Sequence, residues 1–489
     1  MTTAHSLDLT LVIDIGKSNA KLLMLDDAGA VVERHSRANA SVGSPLGYPA
    51  LDVHGLEAWM KSVLLSSENA KRCGHVIAST HGAAMVALAD VELAWDPIDY
   101  EFEDVSLEGA AATAFDAASD NFRDTLSPDL PAGLNAARQL FWMQNEHPDV
   151  WRKTRCLLPY PQYWAWLLSG VKCSEVSSLG CHTHLWSPVR SGFSNLAVTK
   201  GWASLFAPLP SAWEVLGTVR PQVASEWGLP ADCKVHVGAH DSNACLARYF
   251  HSKSIGDKEA QALTIVSSGT WTVLMAPGAP AAALVADKDM LGNVDVTGRM
   301  TPTARFMGGR EFAAILNGAN AQSANVEGLS RLVESRTFAL PSFSHQGGPF
   351  SDRIGYLERD GHRLEGVNAG HLNETERATL AATYCAQITA WLIHFLWGGH
   401  TTEKLNVIVE GPLANNSIYM LVLQSILPGS VCYSSNDEIE GTARGAWILT
   451  RWGDDQRREE LKPVKEEYSD GLRQYHDHWL EMVNSSLSN

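Results

Sequence analysis

What this chain lacks narrows its possibilities first. Its eight cysteines, at positions 73, 156, 173, 181, 233, 245, 385 and 432, never form a C-x-x-C pair. Scattered thiols speak against a disulfide framework or a zinc knuckle and for a reduced, cytoplasmic setting. No apolar run reaches the roughly 18 residues that a membrane-crossing helix needs, and the most apolar stretch, 388–397, carries His394. Residues 1–10 show no charged region followed by an apolar signal core. There is no basic stripe either, and the net charge is −17. Nucleic acid and anionic membrane surfaces are therefore excluded as expected partners. The G-x-G-x-x-G fingerprint is missing after the first strand, which excludes a nicotinamide-dependent dehydrogenase. Gly16-Lys17-Ser18 is not a P-loop, because that motif needs glycine five residues before Gly16 and Leu11 stands there.

What remains reads as an ordinary globular protein, 45% apolar and 19% charged. Its 489 residues exceed what one core usually serves, so two domains are expected. The β-branched run 9–16 predicts a buried strand ending in a tight turn, followed by strands at 21–26 and 30–37. Strands joined by so few residues must be antiparallel, so the fold opens with a meander. Strands are predicted at 75–79, 85–89 and 232–237, and helices over 136–151, 161–168 and 242–250. The polar segment 251–261 marks an inter-domain connection, giving domains 1–250 and 251–489. Beyond it, 262–267 and 270–275 repeat the opening pattern of strand, small-residue turn and returning strand, a weak internal duplication. A helix over 374–397 begins with a capping box, Asn373 and Glu376.

Five groups of residues can carry chemistry. In Asp14-Ile-Gly-Lys-Ser-Asn-Ala-Lys21, a turn of Gly16, Ser18 and Asn19 offers donors to phosphate oxygens, and Lys17 or Lys21 can add charge. Asp14, at the strand end, can hold the water shell of Mg2+, which takes one or two carboxylates beside phosphates. Ser268-Gly269-Thr270 forms a second such turn. Asp241 closes Gly238-Ala-His-Asp241 between a strand and a helix, where a carboxylate suits removal of a hydroxyl proton during phosphoryl transfer. Gly411-Pro412-Leu-Ala-Asn415, with Gly441-Thr-Ala-Arg-Gly445 downstream, offers glycine turns that a flat ring can approach closely. His81-Gly82, with Tyr100 and Glu101 in the following loop, suits polyol hydroxyls. Taken singly, each is as readily a turn, a helix cap or a core histidine. Two like turns at like places in two half-chains argue for a shared ligand.

In this order the motifs resemble the FGGY family of carbohydrate kinases, within the sugar kinase, Hsp70 and actin superfamily. His240-Asp-Ser-Asn-Ala244, Ser267–Met275 and Leu158-Pro-Tyr-Pro-Gln-Tyr163 are similar to its L-rhamnulose and L-fuculose kinase branch. The resemblance implies an α/β fold of two actin-like (RNase H-like) domains facing a central cleft. It implies ATP and Mg2+, with Asp14, Gly16, Lys17, Ser18, Asn19, Lys21, Ser268, Gly269, Thr270, Gly411, Pro412, Asn415 and Gly441 on the nucleotide side and Asp14 toward the metal. Asp241 would be the general base, and His81, Gly82, Tyr100, Glu101 and Asp241 would hold the sugar. The implied reaction phosphorylates a hydroxyl, O1, of a small ketose such as L-fuculose, L-rhamnulose or a pentulose. A sugar-independent nucleotide-binding regulator or ATPase of the same superfamily is the alternative. Homodimers are common among proteins of this kind. Two departures stand out: Glu410 and Pro412 replace usual glycines, and 95–101 lacks the usual Asp-x-Arg pattern.

Overall fold

Every residue of the first strand, β1 (Leu9–Ile15), is buried, as a strand covered on both faces requires. It sits mid-sheet. β2 (Asn19–Leu25) and β3 (Val31–Ala38) continue as an antiparallel meander, with Asp14 opposite Lys21 across β1 and β2. On its other side β1 pairs in parallel with β4 (Cys73–Thr80), which pairs in parallel with β5 (Lys234–His236). The resulting order is β3-β2-β1-β4-β5. The computed structural model describes residues 6–250, 262–344, 347–364, 372–399, 405–435, 441–454, 461–468 and 471–485. The segment 251–261, expected as the inter-domain connection, lies outside them.

The chain divides into two compact units. Met1–His251, Gly292–Met300 and Glu438–Glu459 make the first, and Ser252–Leu291, Thr301–Asp437 and Glu460–Asn489 the second. In the first unit, α1 (Tyr160–Ser169) buries Tyr160, Tyr163, Trp164 and Trp166, so much of the aromatic content is core. The helix expected over 136–151 is broken into Ala136–Glu146 and Pro148–Trp151, because Pro148 has no N–H to continue it. Ala239-His240 runs parallel to Ser79-Thr80 at the end of β4, and α2 (Asp241–Ala247) follows directly. Gly238 makes that approach possible: its φ is +81°, and a Cβ there would lie 2.2 Å from the Ala78 carbonyl oxygen.

The second unit repeats the plan. β6 (Leu263–Ser268) pairs antiparallel with β7 (Thr272–Met275), which pairs antiparallel with β8 (Met300–Phe306). β6 also pairs in parallel with β9 (Asn406–Glu410), and β9 with β10 (Val431–Ser434). The order β8-β7-β6-β9-β10 matches that of the first sheet strand for strand. α3 (Gly308–Leu316) follows β8. α4 (Glu374–Leu396) starts with the expected capping box. By length and composition α4 alone among the described helices could cross a membrane, but 89% of its apolar window is buried in the protein. It is a core helix.

α5 (Gly441–Leu449) belongs to the first unit, where it packs on α2 and β1. Gly445 permits the close crossing, since a Cβ there would lie 1.8 Å from the Ala244 carbonyl oxygen.

Candidate functional site

In the first unit, the ends of β1, β4 and the Ala239-His240 segment lie side by side, so residues distant in sequence gather at one sheet edge. His81 N–H donates to the Ile15 carbonyl at 2.8 Å, which sets the β1 turn beside the His81 loop. The turn itself closes through Gly16 N–H to Asn19 O at 2.9 Å, leaving Ser18 and Asn19 exposed at its tip. Asp14 is buried behind it, 3.8 Å from Lys21 Nζ.

A cavity of about 270 Å³ opens here, lined by Lys17, Ser18, Ser41, Asp52, His81, Asp99, Glu101 and Tyr160 among others. Lys17, expected on the phosphate side, turns into it. Its ammonium donates to both oxygens of Asp99, approaches Glu101 Oε2 at 3.3 Å and lies 4.9 Å from the centre of the Tyr100 ring. Burial pushes the Asp99 carboxyl up, but bonds from Lys17, Ser41 Oγ and the Glu101 N–H outweigh it and hold the group below the usual carboxylate range. Asp52 is engaged by Arg37 and accepts from Gly55 N–H at 2.9 Å, capping the helix Val53–Ser66.

The His81 ring sits between Tyr100 and Tyr160, at 5.3 and 5.4 Å between centroids. Burial depresses its pKa, so it is held neutral. A carbonyl oxygen can only accept, so Nδ1 carries the proton that bonds Gly82 O at 2.9 Å. Nε2 is left as an acceptor on the cavity wall. Gly82 serves by its size: a Cβ would lie 2.8 Å from Cys181 Sγ and 3.0 Å from His240 Nε2. Asp241 begins α2. Among the described residues its hydrogen bonds fall on Oδ1, from Ser242 N–H at 2.5 Å and Ser242 Oγ at 3.1 Å, and His240 Nε2 lies 3.2 Å from the same oxygen.

In the second unit, a larger cavity of about 750 Å³ is lined by Ser268, Gly269, Thr270, Gly309, Arg310, Phe312, Pro412, Leu413 and Asn415, among others. Three turns converge on it. Ser268 Oγ donates to Glu410 O at 2.6 Å and accepts from Leu413 N–H at 2.9 Å, tying the β6–β7 hairpin to the Gly411 turn. Gly411 takes a φ of +78°, and a Cβ there would lie 2.0 Å from Ser268 O. Gly309 N–H donates to Thr270 O at 3.2 Å, and its missing Cβ lets the start of α3 meet the hairpin. Arg310 is exposed and has no ion-pair partner among the described residues. Gly441 lies in the first unit, at the start of α5.

Asp99, Ser41 and Tyr160 in the first cavity and Gly309, Arg310 and Phe312 in the second were not anticipated from sequence. Gly308-Gly309-Arg310, directly after a strand, carried a legible signal. Asp99 carried none.

A duplicated α/β sheet with a small-residue hairpin turn on each copy is the build of the actin-like sugar kinases, and comparison with known proteins agrees. Residues 129–247 match the N-terminal domain of the FGGY family of carbohydrate kinases, and residues 260–459 match the carbohydrate kinase FGGY C-terminal domain. The chain belongs to the FGGY family of carbohydrate kinases. It is 32% identical to a carbohydrate kinase from Novosphingobium aromaticivorans of known structure, with a TM-score of 0.86 over 99% of this chain and 100% of that one. It is 24% identical to the L-fuculokinase of Salmonella typhi over 283 residues, which is 55% of this chain and 56% of that protein, so it spans about half of this curated relative. Plasmodium falciparum glycerol kinase, solved with ADP, shares the fold at 13% identity and a TM-score of 0.71, over 99% of each chain.

Proposed function

We propose that this protein transfers the γ-phosphoryl group of ATP to a hydroxyl, most simply O1, of a small neutral ketose. The observation that carries this reading is the meeting of Asp241, whose Oδ2 has no hydrogen-bond partner among the described residues, and the His81–Tyr100 wall at the same sheet edge. Asp241 acts as general base, taking the acceptor proton late in the transfer. The cavity lined by Lys17, His81, Asp99 and Glu101 holds the sugar. His81 Nε2 accepts from one hydroxyl, while Lys17 donates and Asp99 and Glu101 accept.

Charge selects the acceptor class. Lys17 and Arg37 stand against Asp52, Asp99 and Glu101, two cations to three carboxylates, with His81 neutral. An anionic acceptor such as an aldonate would meet net repulsion, and a neutral polyhydroxyl would not. The cavity of the second unit, about 750 Å³, falls in the range of small-ligand and cofactor sites. Its hairpin turn and Arg310 suit a phosphate chain, and Phe312 and Leu413 suit a base.

No cluster of three or more His, Cys, Asp or Glu that could cage a metal occurs among the described residues. A single buried carboxylate, Asp14, fits Mg2+ that arrives on the nucleotide and keeps several waters. The ion would supply charge neutralisation at the phosphates. An ADP-release assay over ketoses, polyols and aldonates tests the whole reading. ADP should appear only with a neutral ketose. Release without any sugar would instead identify an ATPase.

A further inference from the structure

Glu311 is 3% exposed, and no role given above uses it. It lies on α3 between Arg310 and Phe312, which both line the larger cavity of the second unit. Its Oε2 accepts from the Tyr384 hydroxyl on α4, from Phe343 N–H at 3.0 Å and from Ser342 Oγ at 3.5 Å. Among the described residues it has no cationic partner. A carboxylate sunk this deep without a counter-charge is costly, and burial pushes its pKa up against the pull of those three bonds. An apolar side chain would pack α3 on α4 without that cost. What the carboxylate adds is direction, because a fixed set of donors accepts the oxygen in one place only. The clasp is reinforced on both sides. The Phe343 ring stands edge-on to Tyr384 at 5.4 Å between centroids, and Cys385, next along α4, donates its S–H to Gly308 O at 3.8 Å.

The setting matters because of what lies on the other side of α3. At about 100° per residue, the cavity-lining Gly309, Arg310, Phe312 and Ala313 fall in an arc of about 160° centred directly opposite Glu311. Ile315, one turn beyond Glu311, shares the buried face. Any turn of that face about the helix axis is therefore copied onto the cavity face. The cavity face tolerates little of it: Gly309 N–H donates to Thr270 O at 3.2 Å, and a Cβ on Gly309 would lie 2.4 Å from Gly269 O. We infer that Glu311 is a positioning residue for the nucleotide: it pins α3 from behind, so that Gly309 stays against the 268–270 turn and Arg310 and Phe312 are presented to the phosphates and the base. The inference rests on the reading of this cavity as the nucleotide site. No chemical step runs through Glu311. It acts by holding the binding face ready before the nucleotide arrives, so that less ordering is left to be done on binding.

The test is isothermal titration with ADP beside steady-state kinetics on the full-length protein, with the best ketose from the ADP-release screen. Glu311→Leu keeps most of the volume but loses the acceptor. It should raise Kd for ADP and KM for ATP about 10-fold, the scale of one lost charge-assisted hydrogen bond, and leave KM for the ketose within about twofold. Glu311→Gln keeps an acceptor oxygen for the same donors and should bring both nucleotide constants back to within about twofold of wild type. Tyr384→Phe, which deletes one donor and leaves the ring packed, should move them in the same direction by a smaller factor, and it carries the test if Glu311→Leu does not fold. Wild-type nucleotide constants in these two variants with only Tm lowered, a matching rise in KM for the ketose, or an equal loss in Glu311→Leu and Glu311→Gln overturns the inference. Arg310→Met keeps it apart from the reading beneath it. That change should weaken ADP binding whatever Glu311 does, and an unchanged Kd there overturns the nucleotide site itself.

Discussion

At the residue scale, single side chains divide between binding and making room. Asp241→Asn should lower the sugar-dependent rate about 10²–10⁴-fold, the usual contribution of a general base, with ATP binding retained in a fluorescence titration. Lys17 is the sharper case, because its sequence neighbours point to phosphate and its contacts point to the acceptor cavity. Lys17→Met should raise KM for the ketose about 10-fold, equivalent to roughly 1.4 kcal/mol, and leave KM for ATP within about twofold. The reverse split would return Lys17 to the nucleotide. Asp241 and His81 stand out in the sequence because they follow strands, where side chains are delivered to an edge, and Tyr100 and Glu101 because they lie in the loop that comes after; the structure sets the His81 and Tyr100 rings together and puts His81 and Glu101 on one cavity. Sequence reading did not reach Asp99, 2% exposed, because only the folded loop turns that carboxylate toward Lys17, 82 residues earlier.

At the scale of elements, local rules were legible wherever a periodic run met a cap or a glycine. The opening meander, the second hairpin and the capping box of α4 all follow from short-range chemistry. The pairing of β4 with β1, and of β9 with β6, joins segments about 60 and 140 residues apart, and no local signal specifies such partners. Nor does a sequence pattern distinguish a glycine that bends a turn from one that admits a neighbour. Gly309 is of the second kind: a Cβ would lie 2.4 Å from Gly269 O and 3.1 Å from Thr270 Cα. Gly309→Ala should therefore push the hairpin from α3 and raise KM for ATP about 10-fold while KM for the ketose holds. Isothermal titration with ADP gives the independent check.

At the scale of the whole molecule, acid is the expected weakness. Burial lowers His75, His184, His236 and His476 to about 4 from the usual 6.5. His75 Nδ1 and His236 Nε2 are 2.8 Å apart, an arrangement that protonation of both rings would break. Below pH 6.5 the unfolded chain binds protons that the folded one refuses, so stability is full above that pH and falls as pH drops toward 4. Glu175, raised by burial from 4.5 to about 7, acts oppositely, adding stability as pH falls through that window. With His81 and His240 also held down by burial, six histidines outnumber the two raised carboxyls, Glu175 and Glu311. Tm should fall steeply between pH 6.5 and 5, and His184→Gln should flatten the slope if the mutant folds; a Tm unchanged over that range would contradict the assignment.

The return of α5 to the first unit bears on how the protein is made. Trp447, fully buried, donates to Asp26 O at 3.1 Å, and Gly445 sits against Ala244. The first core therefore waits for residues about 190 positions beyond Phe250, an interval of roughly 10–40 s on the ribosome. A gene cut after codon 250 should yield an insoluble fragment, and co-expression of the remainder should rescue it into the supernatant. Emerging first, the amino-terminal half needs shelter longest.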